Sequence, residues 1–223
     1  MVVNKSTVPV GSGDYFSMLI CEGIEEAGGE GTELFLVVAN PEFLREGSAL
    51  YDSLFPDRIV VGADSREAMD TLRDLYEPII EQSFSTGLDP RPKVRVPFVT
   101  TDLASAEIVK YASNAFLATK ISFINEISNL CELVGADVTG VATGIGLDER
   151  IGLRFLNAGI GWGIVLPQRH LGSSLRAVAC EYDYETVLLD ATAAVNTRQR
   201  KRVITKLQRD LHTLKGKRVA FSG

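Results

Sequence analysis

The stretch that decides the fold begins at Glu107 and reads Glu-Ile-Val-Lys-Tyr-Ala-Ser-Asn-Ala-Phe-Leu-Ala. It lies within residues 102–135, where apolar residues recur every three or four positions, the period of an amphipathic helix. Thr101 or Asp102 can cap the start of this helix, and Gly135 can end it. The pattern predicts one helix of about 30 residues, roughly 45 Å long.

The segments that follow also have helical patterns. Shorter helices are predicted at 137–143 and 148–157, and a second long helix at 184–211. Such a helical layer carries more apolar surface than one small bundle needs, which favours dimerisation. Packing within its own chain alone is the alternative.

The first hundred residues alternate strands and helices instead. This order is typical of a doubly wound α/β sheet. No Gly-x-Gly-x-x-Gly follows a strand here, so the dinucleotide-binding fingerprint is absent and the order matches only the back half of such a domain. Strands are predicted at 1–3, 33–39, 58–62 and 94–99. One helix is predicted at 14–27, and another begins after its cap, Ser65, and ends at about residue 83.

Composition narrows the classes of function. An apolar content of 45% and a charged content of 23% are ordinary for a globular protein. No apolar run approaches the roughly 20 residues of a membrane span, and the start lacks a signal pattern, so the cytoplasm is expected. A net charge of -6 argues against a nucleic-acid partner. The basic cluster at 198–202 is interpreted as a solvated helix face.

Cysteine and histidine give no sign of a metal or nucleophilic site. Cys21, Cys131 and Cys180 are far apart and in no ligand spacing. His170 and His212 have no partner motif. No metal is therefore expected, nor a Cys-His or Ser-His-Asp centre.

Two pairs of polar residues are candidates for chemistry. Lys110 and Asn114 share one helix face, with Glu107 one turn earlier, and such a pair can hold an oxyanion or a sugar hydroxyl. The alternative is an exposed polar stripe. Glu42 and Glu46 follow a strand end and can serve as base and orienter. Their alternative is stabilisation of a helix N-terminus.

A third candidate is a loop at 155–163 with glycines at 159, 161 and 163. Glycines allow a backbone to approach a ligand closely. A glycine-rich loop alone is a weak signal.

Taken together, these strings resemble the UDP-glucose/GDP-mannose dehydrogenase family. Family-like segments occur in the right order over nearly the whole chain: 5–11, 40–62, 107–126, 135–163, and Val195-Asn196 with Gln199. The segment at 40–62, which contains Pro-Asp-Arg-Ile-Val-Val-Gly, is more similar to the UDP-glucose 6-dehydrogenases than to the GDP-mannose enzymes.

The resemblance implies an NAD-dependent, two-step oxidation of UDP-glucose to UDP-glucuronate by a homodimer. It implies an α/β fold in three parts. Residues 1–100 would form the C-terminal half of a Rossmann-like NAD-binding domain, and 101–212 an all-helical central dimerisation and substrate domain. Residues 213–223 would begin a UDP-binding α/β domain with its first strand.

The resemblance also implies roles for individual residues. Thr7 would lie near the nicotinamide, Glu46 would contact NAD, and Arg150 would reach a substrate across the dimer. Thr7, Glu42, Lys110 and Asn114 form the implied catalytic set. The implied substrate-binding residues are Glu42, Phe43, Leu44, Arg45, Glu46, Lys110, Asn114, Arg150, Phe155, Leu156, Asn157, Ala158, Gly159 and Gly163.

One motif departs from the family. There the glycine-rich turn leads into Gly-Ser-Cys-Phe-Pro-Lys-Asp, whose cysteine is the nucleophile, whereas residues 164–170 here read Ile-Val-Leu-Pro-Gln-Arg-His. Without a thiolate no thiohemiacetal can form, so the chain is expected to be an inactive fragment. The alternatives are a non-catalytic dimerisation or nucleotide-sugar-binding module, or a dehydrogenase of another nucleotide sugar.

A frameshift is one hypothesis for this departure. One possible codon string, ATC GTG CTT CCC CAA AGA CAT, encodes Ile-Val-Leu-Pro-Gln-Arg-His, and the same string read one nucleotide later encodes Ser-Cys-Phe-Pro-Lys-Asp. The rival hypothesis is divergence of a non-catalytic paralogue. Sequencing the gene decides between them, since codons that cannot be read this way exclude the frameshift.

Overall fold

Residues 1–29, 35–87, 95–162 and 168–218 are described by the computed structural model of the chain. The chain divides into two compact units, Met1–Ser113 and Asn114–Gly223. No helix within the described ranges is long and apolar enough to cross a membrane.

The first unit is built on a four-stranded sheet with strands β1 (Val2–Asn4), β2 (Val37–Ala39), β3 (Ile59–Gly62) and β4 (Phe98–Thr101), in that order. The pairs β1–β2 and β3–β4 are parallel. Strands β2 and β3 pair antiparallel through Ala39 and Gly62. The parallel pairing of β1 and β2 brings the loops that follow them to one edge of the sheet.

Helices α1 (Ser12–Glu26), α2 (Ala49–Leu54), α3 (Arg66–Ile80) and the start of α4 (Leu103–Val134) complete this unit. Successive strand residues point to opposite faces of a sheet. Val38 and Val61 accordingly pack in one buried cluster with Leu72 of α3. Val37 and Val60 pack in another with Ala106 of α4. The expected sheet with helices on both faces is confirmed.

Gly62 lets β3 approach α4 closely. A Cβ atom at this position would lie 2.5 Å from both the Cβ of Ala106 and the carbonyl oxygen of Asp102. Any larger residue would push the first turns of α4 away from the sheet. These are the turns that carry Glu107 and Lys110.

The second unit contains the rest of α4 with α5 (Val138–Gly146), α6 (Gln168–Glu181) and α7 (Val187–Leu211). Ala115, Ala118 and Trp162 form its buried cluster. Asp137 caps α5 by accepting hydrogen bonds from the N–H groups of Thr139 and Gly140, both 3.0 Å long. These bonds lower the pKa of Asp137.

Several predicted elements are confirmed. The long helices at 102–135 and 184–211 occur as α4 and α7, and Ser65 caps α3 by accepting from the N–H of Ala68 at 3.4 Å. The predicted helix at 148–157 is wrong. Gly152 and Phe155 have φ values of 71° and 66°, and their left-handed backbone interrupts any helix there.

Helices α2 and α6 were not predicted from the sequence. The starts of the predicted strands at 33–39 and 94–99, and residues 219–223 of the last predicted strand, lie outside the described residues.

Candidate functional site

A cavity lies where the loops after β1 and β2 meet α4. It is small and open to solvent. Ligands of α/β sheets bind at the carboxyl ends of the strands, so this is the expected position for a site. Its lining residues are Asn4, Ser6, Thr7, Val8, Ala39, Pro41, Glu107, Lys110 and Tyr111.

Lys110 is the buried cation of the cavity, with 8% of its surface exposed. Its Nζ atom lies 3.1 Å from Oε1 of Glu42 and also donates a hydrogen bond to the backbone carbonyl of Glu42. A buried ammonium needs such partners, because an unpaired one would deprotonate or destabilise the fold. The two contacts fix the position of the positive charge beside the cavity.

The loop that carries Glu42 is held from several sides. Oε2 of Glu42 accepts a hydrogen bond from the N–H of Leu44 at 2.8 Å. The ring centroid of Phe43 lies 5.3 Å from Nζ of Lys110 and 3.9 Å from the guanidinium of Arg58, both within range of a cation–π interaction. The structure therefore brings Glu42, Phe43 and Lys110 together.

The rest of this loop is either bound to α2 or exposed. The guanidinium of Arg45 forms an ion pair with Asp52 of α2, and its backbone N–H donates to Oδ2 of Asp52 at 2.8 Å. The hydrogen bonds from Arg45 lower the pKa of Asp52 to about 2. Leu44 and Glu46 are exposed. Arg45 thus connects the loop to α2 in this structure.

On the opposite side of the cavity, Thr7 belongs to the loop between β1 and α1. Glu107 of α4 accepts hydrogen bonds from the N–H groups of Gly11, at 2.7 Å, and Gly13, at 2.9 Å. Burial raises the pKa of Glu107 in spite of these bonds. From the sequence, Glu107 was noted only as lying one turn before Lys110. An acid within an apolar helical pattern was the available signal.

Asn114 follows Lys110 by one turn of α4, is half-buried, and begins the second unit. Arg150 is exposed and binds Asp148, with Nε 2.9 Å from Oδ1 and a terminal nitrogen 2.6 Å from Oδ2. This contact lowers the pKa of Asp148. Within the chain, Arg150 is thus occupied by a neighbour two residues away.

The glycine-rich loop of the second unit is held by side-chain amides from two helices. Oδ1 of Asn125, on α4, accepts from the N–H of Gly159 at 2.8 Å, and Nε2 of Gln199, on α7, donates to its carbonyl at 2.7 Å. Leu156 is buried and Phe155 half-buried, whereas Asn157, Ala158 and Gly159 are exposed. Gly163 lies outside the described residues.

Asn196 of α7 holds the next part of this loop. Its side chain accepts from the N–H of Trp162 at 2.9 Å and donates to the Trp162 carbonyl at 3.0 Å. The Trp162 indole donates to Oγ of Ser122 at 2.9 Å. A Cβ atom on Gly161, whose φ is 108°, would lie 2.3 Å from Oδ1 of Asn196. Only glycine fits here.

The sequence analysis did not predict a role for Asn125. It named Asn196 and Gln199 only as part of the resemblance to the family, without a role. Among the described residues no group of three His, Cys, Asp or Glu side chains could hold a metal ion. Residues 164–167 of the altered motif lie outside the described part, and 168–170 begin α6.

The fold defines a class first: an α/β unit with a cavity at the carboxyl ends of its strands, followed by a helical unit. Residues 1–80 match the NAD binding domain of the UDP-glucose/GDP-mannose dehydrogenase family, and residues 104–198 match its central domain. The chain belongs to the UDP-glucose/GDP-mannose dehydrogenase family.

Individual relatives agree with this assignment. UDP-glucose 6-dehydrogenase YwqF of Bacillus subtilis is 43% identical over 224 residues, covering 100% of this chain and 46% of the relative. The UDP-glucose 6-dehydrogenase of Rickettsia felis is 40% identical over 226 residues, 100% of this chain and 45% of its own. This chain thus spans a little under half the length of these relatives.

A solved structure is similar as well. The UDP-glucose dehydrogenase of the archaeon Pyrobaculum islandicum matches with a TM-score of 0.79 at 37% identity. The match covers 96% of this chain and 44% of that one.

Proposed function

We propose that this chain forms part of an NAD-dependent UDP-glucose 6-dehydrogenase, which oxidises UDP-glucose to UDP-glucuronate. The observation that carries the proposal is the Lys110–Glu42 pair beside a cavity that Thr7 also lines. The names of the relatives support the substrate, and the family's NAD binding domain supports the cofactor.

The cavity lies where the nicotinamide end of NAD would bind. Ser6, Thr7 and Val8 are small, and they line the cavity at the carboxyl end of β1, where such sheets bind a cofactor. Thr7 and Glu46 would hold the nicotinamide end. When bound, NAD accepts a hydride from the substrate carbon. The sequence has no Gly-x-Gly-x-x-Gly, so no residue is assigned to the pyrophosphate.

The chain's own residues would bind and polarise the sugar. The Lys110 ammonium and the Asn114 amide would donate hydrogen bonds to the C6 oxygen as negative charge develops on it. Glu42 would accept the proton of the C6 hydroxyl or of a water. The loop at 42–46, Arg150, the loop at 155–159 and Gly163 would hold the rest of the UDP-sugar.

A second function is favoured by the altered motif at 164–170. Lacking the family's cysteine, the chain would bind a nucleotide sugar or dimerise without chemistry. Large exposed apolar side chains on α4 support a homodimer, among them Phe116 at 66% and Phe123 at 50% exposed. The same proposal includes the domain division at 1–100, 101–212 and 213–223 and a cytoplasmic location.

The test is to titrate the chain with UDP-glucose by calorimetry and to follow NADH formation when NAD is added. We expect UDP-glucose to bind, and Lys110→Met to weaken binding about tenfold or more, since the cation is lost at equal length. The control is Lys201→Met, an exposed lysine. Absence of UDP-glucose binding by the unaltered chain would contradict the proposal.

The two functions separate in the same assay. Binding without NADH formation supports the binding module, and NADH formation supports the dehydrogenase. A variant with Ile164→Ser, Val165→Cys, Leu166→Phe, Gln168→Lys and Arg169→Asp restores the family's motif. NADH formation in this variant alone would show that the altered segment is what removes activity. GDP-mannose and UDP-N-acetylmannosamine serve as competing substrates.

A further inference from the structure

We infer that Glu107 is a positioning residue that fixes the Thr7 side of the site, while Lys110, one turn later, fixes the Glu42 side. One helix, α4, thereby sets the separation of the two loops that border the cavity. The inference rests on the proposed function and adds a residue to it.

Glu107 acts as the cap of a helix to which it does not belong. The first N–H groups of a helix have no acceptor within the helix. Helix α1 has Gly11 at its N-cap, and no side chain caps it locally. Both carboxylate oxygens of Glu107 are used instead, Oε2 for Gly11 and Oε1 for Gly13. A negative charge is also favourable at a helix N-terminus.

This contact of Glu107 with the N–H groups of Gly11 and Gly13, here called the clamp, is buried, so its loss is costly. Glu107 is 5% exposed, so water does not readily replace it as an acceptor. Removing the carboxylate would leave the N–H groups of Gly11 and Gly13 without it, and buried donors that lack an acceptor are costly. A glutamine cannot replace it, because it presents one acceptor oxygen and one donor nitrogen.

The clamp reaches Thr7 through a short, stiff segment. Only three residues separate Thr7 from Gly11, and Pro9, whose φ is fixed by its ring, is one of them. The carbonyl of Pro9 accepts hydrogen bonds from the N–H and the Oγ of Ser12, at 3.1 and 2.6 Å. Fixing Gly11 therefore also fixes Thr7 against the cavity.

The two anchors are independent. Glu107 and Lys110 lie three residues apart, about 4.5 Å along the helix axis. Lys110 contacts the loop after β2, and Glu107 contacts the turn before α1. Loss of Glu107 should loosen one side of the site and leave the Lys110–Glu42 contact in place.

The test compares Glu107→Gln and Glu107→Asp with Glu126→Gln, an exposed acid on the same helix. Calorimetry measures NAD and UDP-glucose binding separately. We expect Glu107→Gln to weaken NAD binding about tenfold or more and UDP-glucose binding less than about threefold. Glu107→Asp should recover part of the NAD affinity because it keeps the charge. Equal losses for both ligands, or no loss for NAD, would overturn the inference.

Amide hydrogen exchange tests the clamp without any ligand. Glu107→Gln should speed exchange at residues 7–13 but not at 42–46. Unchanged exchange at 7–13, or equal acceleration in both loops, would contradict the positioning role. If the unaltered chain binds neither NAD nor UDP-glucose, the proposed function fails, and hydrogen exchange still decides whether Glu107 holds the loop.

Discussion

The loop before α1 and the glycine-rich loop solve the same problem with different chemistry. Each holds backbone N–H groups in place from another helix. In the first unit the acceptor is the buried carboxylate of Glu107. In the second unit the partners are neutral amides, those of Asn125, Asn196 and Gln199.

This difference shows what each loop depends on. A carboxylate accepts hydrogen bonds from two donors through its two oxygens, but the strength of these bonds depends on whether the carboxylate is protonated. A neutral amide donates and accepts at once, and it does not titrate. It requires close contact instead, as the absent side chain of Gly161 shows. The neutral loop should be sensitive to shape and the charged loop to pH.

Gly161→Ala should have the largest effect. The new Cβ would meet Oδ1 of Asn196 at 2.3 Å, and alanine would be strained at a φ of 108°. We expect a loss of about 3 kcal/mol in the free energy of unfolding. Trp162, the single tryptophan, lies beside the change, so urea unfolding followed by its fluorescence measures the effect. The control is Gly159→Ala, where nothing lies within 4 Å.

Asn196→Ala should come next, at about 2 kcal/mol, because Trp162 loses an acceptor and a donor for its backbone groups. Tryptophan fluorescence during urea unfolding again measures it. Arg200→Ala, an exposed change on the same helix, should leave stability nearly unaltered. Equal effects from the two variants would show that the hydrogen bonds between Asn196 and Trp162 do not stabilise this loop.

Asp52→Asn tests the charged contact between Arg45 and Asp52. It should lower the free energy of unfolding by about 1–2 kcal/mol at neutral pH. The contact with Arg45 holds the pKa of Asp52 at about 2, below its ordinary value of 3.8. A lowered pKa gives stability that is present above 3.8 and lost as pH falls towards 2. The difference in unfolding free energy between the unaltered chain and Asp52→Asn should therefore shrink as the pH falls through that range. A difference independent of pH would exclude the ion pair as its cause.

Glu107 should show the opposite pH dependence, and its change with pH should be the smallest of these effects. Burial raises its pKa above the ordinary 4.5, with a contribution from the negative charge of Asp14. The folded state then binds the proton more tightly, so the contribution of Glu107 to stability declines as pH rises from 4.5 through the folded pKa. The stability difference from Glu107→Gln should fall accordingly. The difference from Asn196→Ala should stay flat, since no titrating group is removed.

The sequence by itself determined the two long helices, the start of α3 and the family. The apolar period predicted α4 and α7, and Ser65 predicted the start of α3, because these depend on neighbours a few residues apart. The strings around Glu42, Lys110 and the glycine-rich loop indicated the UDP-glucose/GDP-mannose dehydrogenase family, and its NAD binding and central domains both match. The sequence-based prediction failed at 148–157. Gly152 and Phe155 have left-handed backbone there, and the local sequence carries no signal strong enough to show it.

Only the tertiary structure decided which polar groups meet. Glu107 reaches Gly11 across 96 positions, and Asn196 reaches Trp162 across 34. It also turned Arg45 towards Asp52. Such contacts form only after helices have packed on the sheet or on each other, because packing brings distant residues within hydrogen-bonding distance. The buried acid was visible in the sequence, and its partner was not.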